Sequence, residues 1–456
     1  MTTPGQFHLN LSLLTPGHFR TAWRLPHADP RAQYDVEHFK RLARIAEEAL
    51  VHAVFLGDSP ALSGAIESAP ETGLDPAILL SHVAAVTERL GFIVTSSSTY
   101  EHPYSLARRF LAFDHVTHGR AAVNIVTTFA PNAAANYGLP QTPPKDERYR
   151  RADEFLDVVT ALWESWEPDA LVADQATGEF ADPNRIHTID HRGEYFSVRG
   201  PLSVPASPQG RPVIVQAGGS PGGLGIAAKY ADVVFTVAQT KQGAVDFRAE
   251  TRERVLAAGR PDGSVVISLG VVVLIGLDEA DVARREEELR GTVDVARSSA
   301  GFVSGLGLDP KVFTADVPIR LEDLPEQPIE QSSAGFQGST RALLAAGPLT
   351  ARELVYRSAG GGGHRLLTGT PETIADDLES WFRAGAADGF TVMAADTTVD
   401  FERFATLVVP ELQRRGLFRT ESEGTTLREG LGLPNPVTSV ASVRSSSDLE
   451  ERAVRV

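Results

Sequence analysis

One run of residues, Gln216-Ala217-Gly218-Gly219-Ser220-Pro221-Gly222-Gly223, carries the most specific chemistry in the chain. It joins a short apolar stretch to a helical one, and backbone N–H groups at such a helix start, with the Ser220 hydroxyl, suit a phosphate monoester. Glycine clusters also serve as plain tight turns. The run has neither a Walker pattern nor G-x-G-x-x-G spacing at a first βα turn, which argues against ATP and dinucleotides. Upstream, Tyr149 sits in Lys145-Asp146-Glu147-Arg148-Tyr149-Arg150, just ahead of a helix expected at 152–163. Its phenol can donate to a phosphate while Lys145 and Arg150 supply charge. A solvated helix start is the alternative reading.

A second set consists of polar residues at the ends of apolar stretches: Asp58, Thr95, Asn124, Thr127 and Thr128. Singly, each reads as a cap or turn residue. Together they form a recurring ring of polar strand ends, the places from which barrel enzymes draw their chemistry. His18 follows the first apolar stretch and is a candidate acid, base or hydrogen-bond donor, or else a surface-loop histidine. His364, after four glycines, reads as a loop cap. The twelve histidines show no H-E-x-x-H and no ligand spacing with carboxylates, so no metal site is expected. No G-x-S-x-G elbow is present.

The elements that must position these groups alternate. Apolar, β-branched runs at 7–14, 51–56, 91–97, 121–127, 213–216, 233–237, 265–275 and 390–394 predict eight strands. Between them fall helical patterns at 35–50, 76–89, 105–115, 223–230 and 372–384. Such βα repetition predicts an α/β chain, and the spacing favours closure into a (β/α)8 TIM barrel over an open doubly wound sheet. Insertions are expected after strands 4 and 7, at about 129–211 and 278–363, with 332–338 as a candidate lid. Residues 1–435 read as one domain, and 436–456 as a flexible tail.

Composition narrows the function. Cysteine is absent, so thiolate catalysis, disulfides and cysteine-bound metals are excluded, and redox chemistry has to come from a cofactor. A net charge of -16 opposes nucleic acid and anionic membranes, so neither is an expected partner. The strongest apolar run, 271–275, is far shorter than the roughly 20 residues of a membrane helix. Residues 1–14 lack a secretory pattern, and the cytoplasm is the expected location.

Taken in order, several segments resemble one family. They include Ala22-Trp23-Arg24, Val54-Phe55-Leu56-Gly57-Asp58, Asn124-Ile125-Val126-Thr127-Thr128, and Ala134-Ala135-Asn136-Tyr137-Gly138. Further on come Glu147-Arg148-Tyr149-Arg150-Arg151-Ala152-Asp153-Glu154-Phe155, His191-Arg192-Gly193-Glu194-Tyr195-Phe196, Ser207-Pro208-Gln209-Gly210-Arg211-Pro212-Val213 and Gly369-Thr370-Pro371. The pattern is similar to the nitrilotriacetate, EDTA and dibenzothiophene-sulfone monooxygenases of the bacterial luciferase-like superfamily. That resemblance implies a luciferase-like barrel binding FMN as FMNH2, with the phosphate near Tyr149 and Ser220 and the ring near Asp58 and Thr95. Thr128, Lys145 and Gly222 complete the implied cofactor set, although the family commonly has histidine where Lys145 stands. His18 matches a histidine placed near the substrate in sulfone-cleaving members.

The activity implied is a two-component monooxygenase that uses O2 for oxidative C–S or C–N cleavage of a small organosulfur or amine substrate. An NAD(P)H:FMN reductase would supply the reduced flavin, and a homodimer or homotetramer is the expected assembly. The competing readings are an F420-dependent hydride-transfer enzyme on the same barrel and a non-catalytic flavin-binding protein.

Overall fold

Residues 5–62, 66–67, 70, 73–128, 130, 132–327, 329, 334–358 and 363–436 are described by a computed structural model. Eight parallel strands form its centre: β1 (His8–Ser12), β2 (Ala53–Leu56), β3 (Gly91–Ser97), β4 (Ala121–Val126), β5 (Val213–Ala217), β6 (Val233–Thr236), β7 (Val266–Ile275) and β8 (Gly389–Ala394). Each pairs with the next in chain order, and β8 returns to β1 through His8↔Gly389, so the sheet closes on itself. Closure excludes the open doubly wound arrangement. Helices between the strands cover the outside, as right-handed βα crossovers require.

The helices that matter for the site are α1 (Val36–Glu48), α2 (Pro76–Ala84), α3 (Pro103–Val116), α4 (Lys145–Trp163), α5 (Pro221–Tyr230), α6 (Lys241–Ala257), α7 (Glu279–Thr292) and α8 (Pro371–Arg383). In α1, Phe39, Leu42, Ala43 and Ala46 recur at helical spacing and are all buried, while Asp35 caps its start by accepting from Glu37 N. Proline opens α2, α3, α5 and α8, where its missing N–H costs nothing.

Two points differ from what the sequence pattern predicts. Helix α4 starts at Lys145 and not at 152, so Tyr149 lies inside it. Pro144 precedes it and Asp146 and Glu147 occupy its first turn, where acidic side chains complement the helix dipole. A ninth strand, Arg365–Gly369, was not anticipated; it pairs with the far half of β7, from Val271↔Arg365 to Ile275↔Gly369. Strand β7 is ten residues long and meets β6 only through Val266 to Leu269, so its second half needs this added partner. The suggested lid at 332–338 falls in part outside the described residues, and its remainder opens a helix, Ala334–Leu344. Residues 437–456 of the expected tail also lie outside the described residues.

Between β4 and β5 stand α4 and two short antiparallel pairs, Leu171–Asp174 with Glu179–Ala181 and His191–Arg192 with Ser197–Val198. Between β7 and the added strand, Phe302, Val303, Leu306, Ile319, Leu344, Leu354 and Val355 form a small core of their own.

The end of the barrel where the strands begin is closed by the chain's last described residues. Leu427, Leu431 and Leu433 pack against Ala53, Ile93, Ala122, Val213, Val233 and Val266. Beside them the buried Arg428 guanidinium donates to both carboxylate oxygens of Asp232 at 3.2 and 2.9 Å. With that end plugged, access is left to the other mouth, where the strands end.

Candidate active site

Three arcs of side chains surround that mouth. The first runs from β4 to α5. Ser220 is the N-cap of α5, and its Oγ accepts from Gly223 N at 3.2 Å. The Tyr149 hydroxyl lies 2.7 Å from the same oxygen. Gly222 lets the two meet, since a Cβ there would stand 2.8 Å from the Tyr149 ring. One residue before Tyr149, the buried Arg148 guanidinium donates to the carbonyls of Thr127 and Thr128 at 3.3 and 3.1 Å. Thr128 Oγ1 in turn donates to Ser97 Oγ at 2.8 Å, tying the end of β4 to the end of β3.

The second arc lies on β3, β4 and the loops after β2 and β4. Thr95 and Asn124 are register partners, and Asn124 Nδ2 donates to Thr95 Oγ1 at 3.1 Å while Asn124 Oδ1, also buried, has no partner among the described residues. Asp58 sits in the loop after β2. Shielding from solvent raises its carboxyl above the ordinary value, and the negative charges of Asp75 and Glu101 add to that. The Tyr137 and Tyr100 rings stack at 4.5 Å, and the Tyr137 phenol is raised by burial and by Asp58 and Glu101.

The third arc is aromatic. Phe55 of β2 meets Phe235 of β6 at 5.8 Å between ring centroids. Phe235 meets His364 at 5.5 Å, and the His364 ring stands 5.2 Å from the His18 ring at 88°. His18 is fixed through the backbone: His18 N donates to Ala394 O at 2.8 Å, and Thr397 N to Pro16 O at 2.8 Å. Burial first, and the charge of Arg20 second, lower the His18 imidazole to about 4. Burial and His18 lower His364 to about 3, with the Gly270 backbone acting weakly in the other direction.

The structure thus brings Tyr149, Ser220, Gly222 and Thr128 into one connected arc, pairs Thr95 with Asn124 in the second, sets Asp58 in the exposed loop after β2 near Asp75 and Glu101, and puts His18 into the third. Lys145 is exposed one helical turn before Tyr149 and makes no hydrogen bond or ion pair among the described residues. Sequence reasoning passed over Arg148, which reads as one charge among several in a helix start. It also undervalued His364, whose place depends on a strand 94 positions earlier, at Gly270. Among the described residues no group of three or more His, Asp or Glu is placed to hold a metal ion. No described helix is long and apolar enough to cross a membrane.

A closed eight-strand barrel with its polar and aromatic side chains gathered at the strand ends has the architecture of a (β/α)8-barrel enzyme. The sequence profile of the luciferase-like monooxygenase family matches residues 17–388, and the chain belongs to that family. It is therefore an oxidoreductase of the flavin-dependent monooxygenase class.

Two curated relatives extend along nearly the whole chain. N-acetyl-S-(2-succino)cysteine monooxygenase of Bacillus subtilis is 37% identical, over 96% of this chain and 98% of its own. Nitrilotriacetate monooxygenase component A of Aminobacter aminovorans is 38% identical over the same shares. Among solved structures, a riboflavin lyase determined with modified FMN and riboflavin superposes with a TM-score of 0.82 at 29% identity, covering 95% of this chain and 97% of that one. An F420-dependent secondary alcohol dehydrogenase reaches only 14% identity and a TM-score of 0.54, over 88% of this chain and 98% of that one, a likeness of fold alone.

Proposed function

We propose that this chain is the oxygenase component of a two-component system, taking FMNH2 from a separate NAD(P)H:FMN reductase. With O2 it would cleave a C–S or C–N bond in a small organosulfur or amine compound. The observation that carries this reading is the Tyr149–Ser220 pair at the start of α5. Two hydroxyls 2.7 Å apart stand at the start of a ten-residue helix that opens with Pro221, which has no N–H, and Gly222, against which the Tyr149 ring packs. The hydroxyls of Tyr149 and Ser220, with the Gly222 N–H at the start of α5, make a donor set that fits a phosphate monoester, and Gly222 is what lets the Tyr149 ring lie against this turn. Lys145 is assigned to the same phosphate as a charge one turn away.

Thr95, Thr128 and Asp58 would edge the flavin ring, and the unpaired Asn124 Oδ1 beside Thr95 offers a buried acceptor to a ring N–H. When bound, the reduced flavin supplies two electrons and the site at which O2 is activated. The protein binds its tail, fixes its ring and keeps water away with the Phe55–Phe235 floor. His18, held uncharged and fastened to the end of β8, is assigned to the substrate side as a hydrogen-bonding partner for the reacting group.

C–S or C–N cleavage is supported by the relatives' substrates, since N-acetyl-S-(2-succino)cysteine contains a C–S bond and nitrilotriacetate a C–N bond. The same reading places residues 1–435 in one barrel unit and the protein in the cytoplasm as a homodimer or homotetramer. The test is an anaerobic titration with photoreduced FMN, followed by mixing with O2 and a substrate panel. Saturable binding with oxygen-shifted or cleaved products is expected. Reduction of F420 with no response to FMNH2 would favour the hydride-transfer reading, and flavin binding without turnover of any kind the non-catalytic one.

A further inference from the structure

The long excursion after β7 re-enters the barrel at His364, and the ring it delivers there is placed with unusual specificity. The side chain is 8% exposed, packs at a tilt against Phe235 and stands edge-to-face on His18. It occupies the space above Gly270, a glycine in the middle of the fully buried β7; a Cβ at that position would lie 2.6 Å from His364 Nδ1 and 2.9 Å from the Phe235 ring. An alanine, the smallest chiral residue, would therefore displace both rings. Gly270 has no positive φ, so the close approach of His364 explains the glycine better than backbone conformation does.

Neither Nδ1, of His18 or of His364, makes a hydrogen bond of good geometry among the described residues, although both atoms are buried. Leaving two such atoms unsatisfied is unfavourable, and the pair sits at the mouth rather than in the packed interior.

We infer that His364 is a second substrate-contacting residue, forming with His18 an edge-to-face imidazole pair that hydrogen-bonds an uncharged polar group of the substrate above the Phe55–Phe235 floor. A neutral imidazole carries one donor and one acceptor, so the pair matches a group such as a sulfone or amide oxygen, or an N–H. Burial keeps both rings unprotonated at neutral pH, which removes the charge that would otherwise favour a carboxylate at this spot. The inference rests on the proposed function only in taking this mouth as the site of oxygenation.

The test uses the full chain, deuterated and 15N-labelled at histidine, with N-acetyl-S-(2-succino)cysteine, nitrilotriacetate and dibenzothiophene sulfone as probes. The expected result is that a probe shifts the ring-nitrogen resonances of His18 and His364 together. H364F keeps the ring volume and removes the hydrogen bond, and should weaken that probe's Kd roughly three- to tenfold. H364Q restores a donor and an acceptor and should recover part of the loss. G270A should act in the same direction as H364F without touching the ligand, and H364Q keeps the test decisive if G270A fails to fold. FMN affinity should stay unchanged in H364F and H364Q. If no probe moves the His364 resonances, or H364F leaves the Kd unchanged for the probe that moves His18, the inference is overturned. Failure of the flavin reading shows separately, as absent FMN binding by the unmodified protein.

Discussion

The Tyr149 hydroxyl and Ser220 Oγ lie 2.7 Å apart, and that serine oxygen also accepts from Gly223 N at the start of α5. Ser220 caps the helix and, on the proposed reading, also binds the FMN phosphate, whereas Tyr149 would add only its hydroxyl to the ligand. S220A should lose about 1 kcal/mol of stability and weaken FMN binding roughly ten- to hundredfold. Y149F should weaken FMN binding by a comparable factor with little change in Tm. Flavin fluorescence titrations paired with thermal melts separate the two. Should both variants lose stability alone and bind FMN normally, the phosphate lies elsewhere.

Gly222 gives an independent check on the same arc. An added Cβ would meet the Tyr149 ring at 2.8 Å, so in G222A the ring must swing away from Ser220. Overpacking of this kind typically costs about 1–3 kcal/mol. The expected signature is a lower urea midpoint together with weaker FMN binding, and the double variant Y149A/G222A should regain the stability while leaving binding weak. A double variant no more stable than G222A would show that the clash lies elsewhere.

Most of this barrel was legible because its strands are short, β-branched and regularly spaced, and all eight barrel strands were found within a residue or two of their observed ends. The meeting of Tyr149, Ser220 and Gly222 was legible for a similar local reason: Ser220 and Gly222 belong to one turn, and Tyr149 to one helix start. What escaped was non-local. The added strand Arg365–Gly369 exists because the second half of β7 lacks β6 as a neighbour, a fact of register that no periodicity reports. His364 owes its position to Gly270, and Arg148 to carbonyls twenty positions upstream. Lys145 was singled out by charge, yet it stands exposed at the first position of α4, where charge and reach are separate questions.

Gly17 controls the loop that carries His18. Its φ is +148°, and a Cβ would lie 2.3 Å from Ala395 O. Backbone atoms cannot yield as a flexible side chain can, so in G17A the loop after β1 must lift off the end of β8. A loss of about 2 kcal/mol or more is expected, with faster amide exchange at His18 and Thr397, whose N–H groups bond across this contact. Unchanged exchange at both would mean that the loop does not depend on this contact.

Arg428 and Asp232 make the plug at the opposite end testable. Both are almost fully buried, and the pairing with Arg428 and Arg211 holds the Asp232 carboxyl down at about 2 in spite of burial, the largest single influence on it, which acts upward. R428M leaves that carboxylate without its main partner, and breaking a buried pair from one side typically costs about 3–5 kcal/mol. R428M/D232N removes both of these charges but leaves the buried Arg211, 3.8 Å from the same carboxylate, without its counter-charge, so it should recover only part of the loss; the amide oxygen of the introduced asparagine can still accept from Ile214 N, the present donor to Asp232. Urea unfolding of the two variants decides it: if the double variant is no more stable than R428M, packing of the plug outweighs the ion pair.

Acid should weaken the fold through its buried histidines, and the sign follows from their depressed values. His8 is lowered to about 4 and His364 to about 3, burial being the main cause in each, against 6.5 in a solvated chain. Above pH 6.5 both are uncharged whether folded or not, and they have no effect on stability. Below it the unfolded chain takes up protons that the folded one refuses, so stability falls as pH drops from 6.5 towards 4, by about 2 kcal/mol per histidine at pH 5. Asp400 acts oppositely. Burial raises it to about 6, so its folded form regains a proton early and recovers about 1 kcal/mol between pH 7 and pH 5. The net expectation is a urea midpoint that declines over this range, and a shallower decline in H364Q, which has one buried imidazole fewer. Identical slopes for H364Q and the unmodified chain would show that the His364 ring takes up its proton as readily folded as unfolded, and that its burial at the mouth is not what the distances imply.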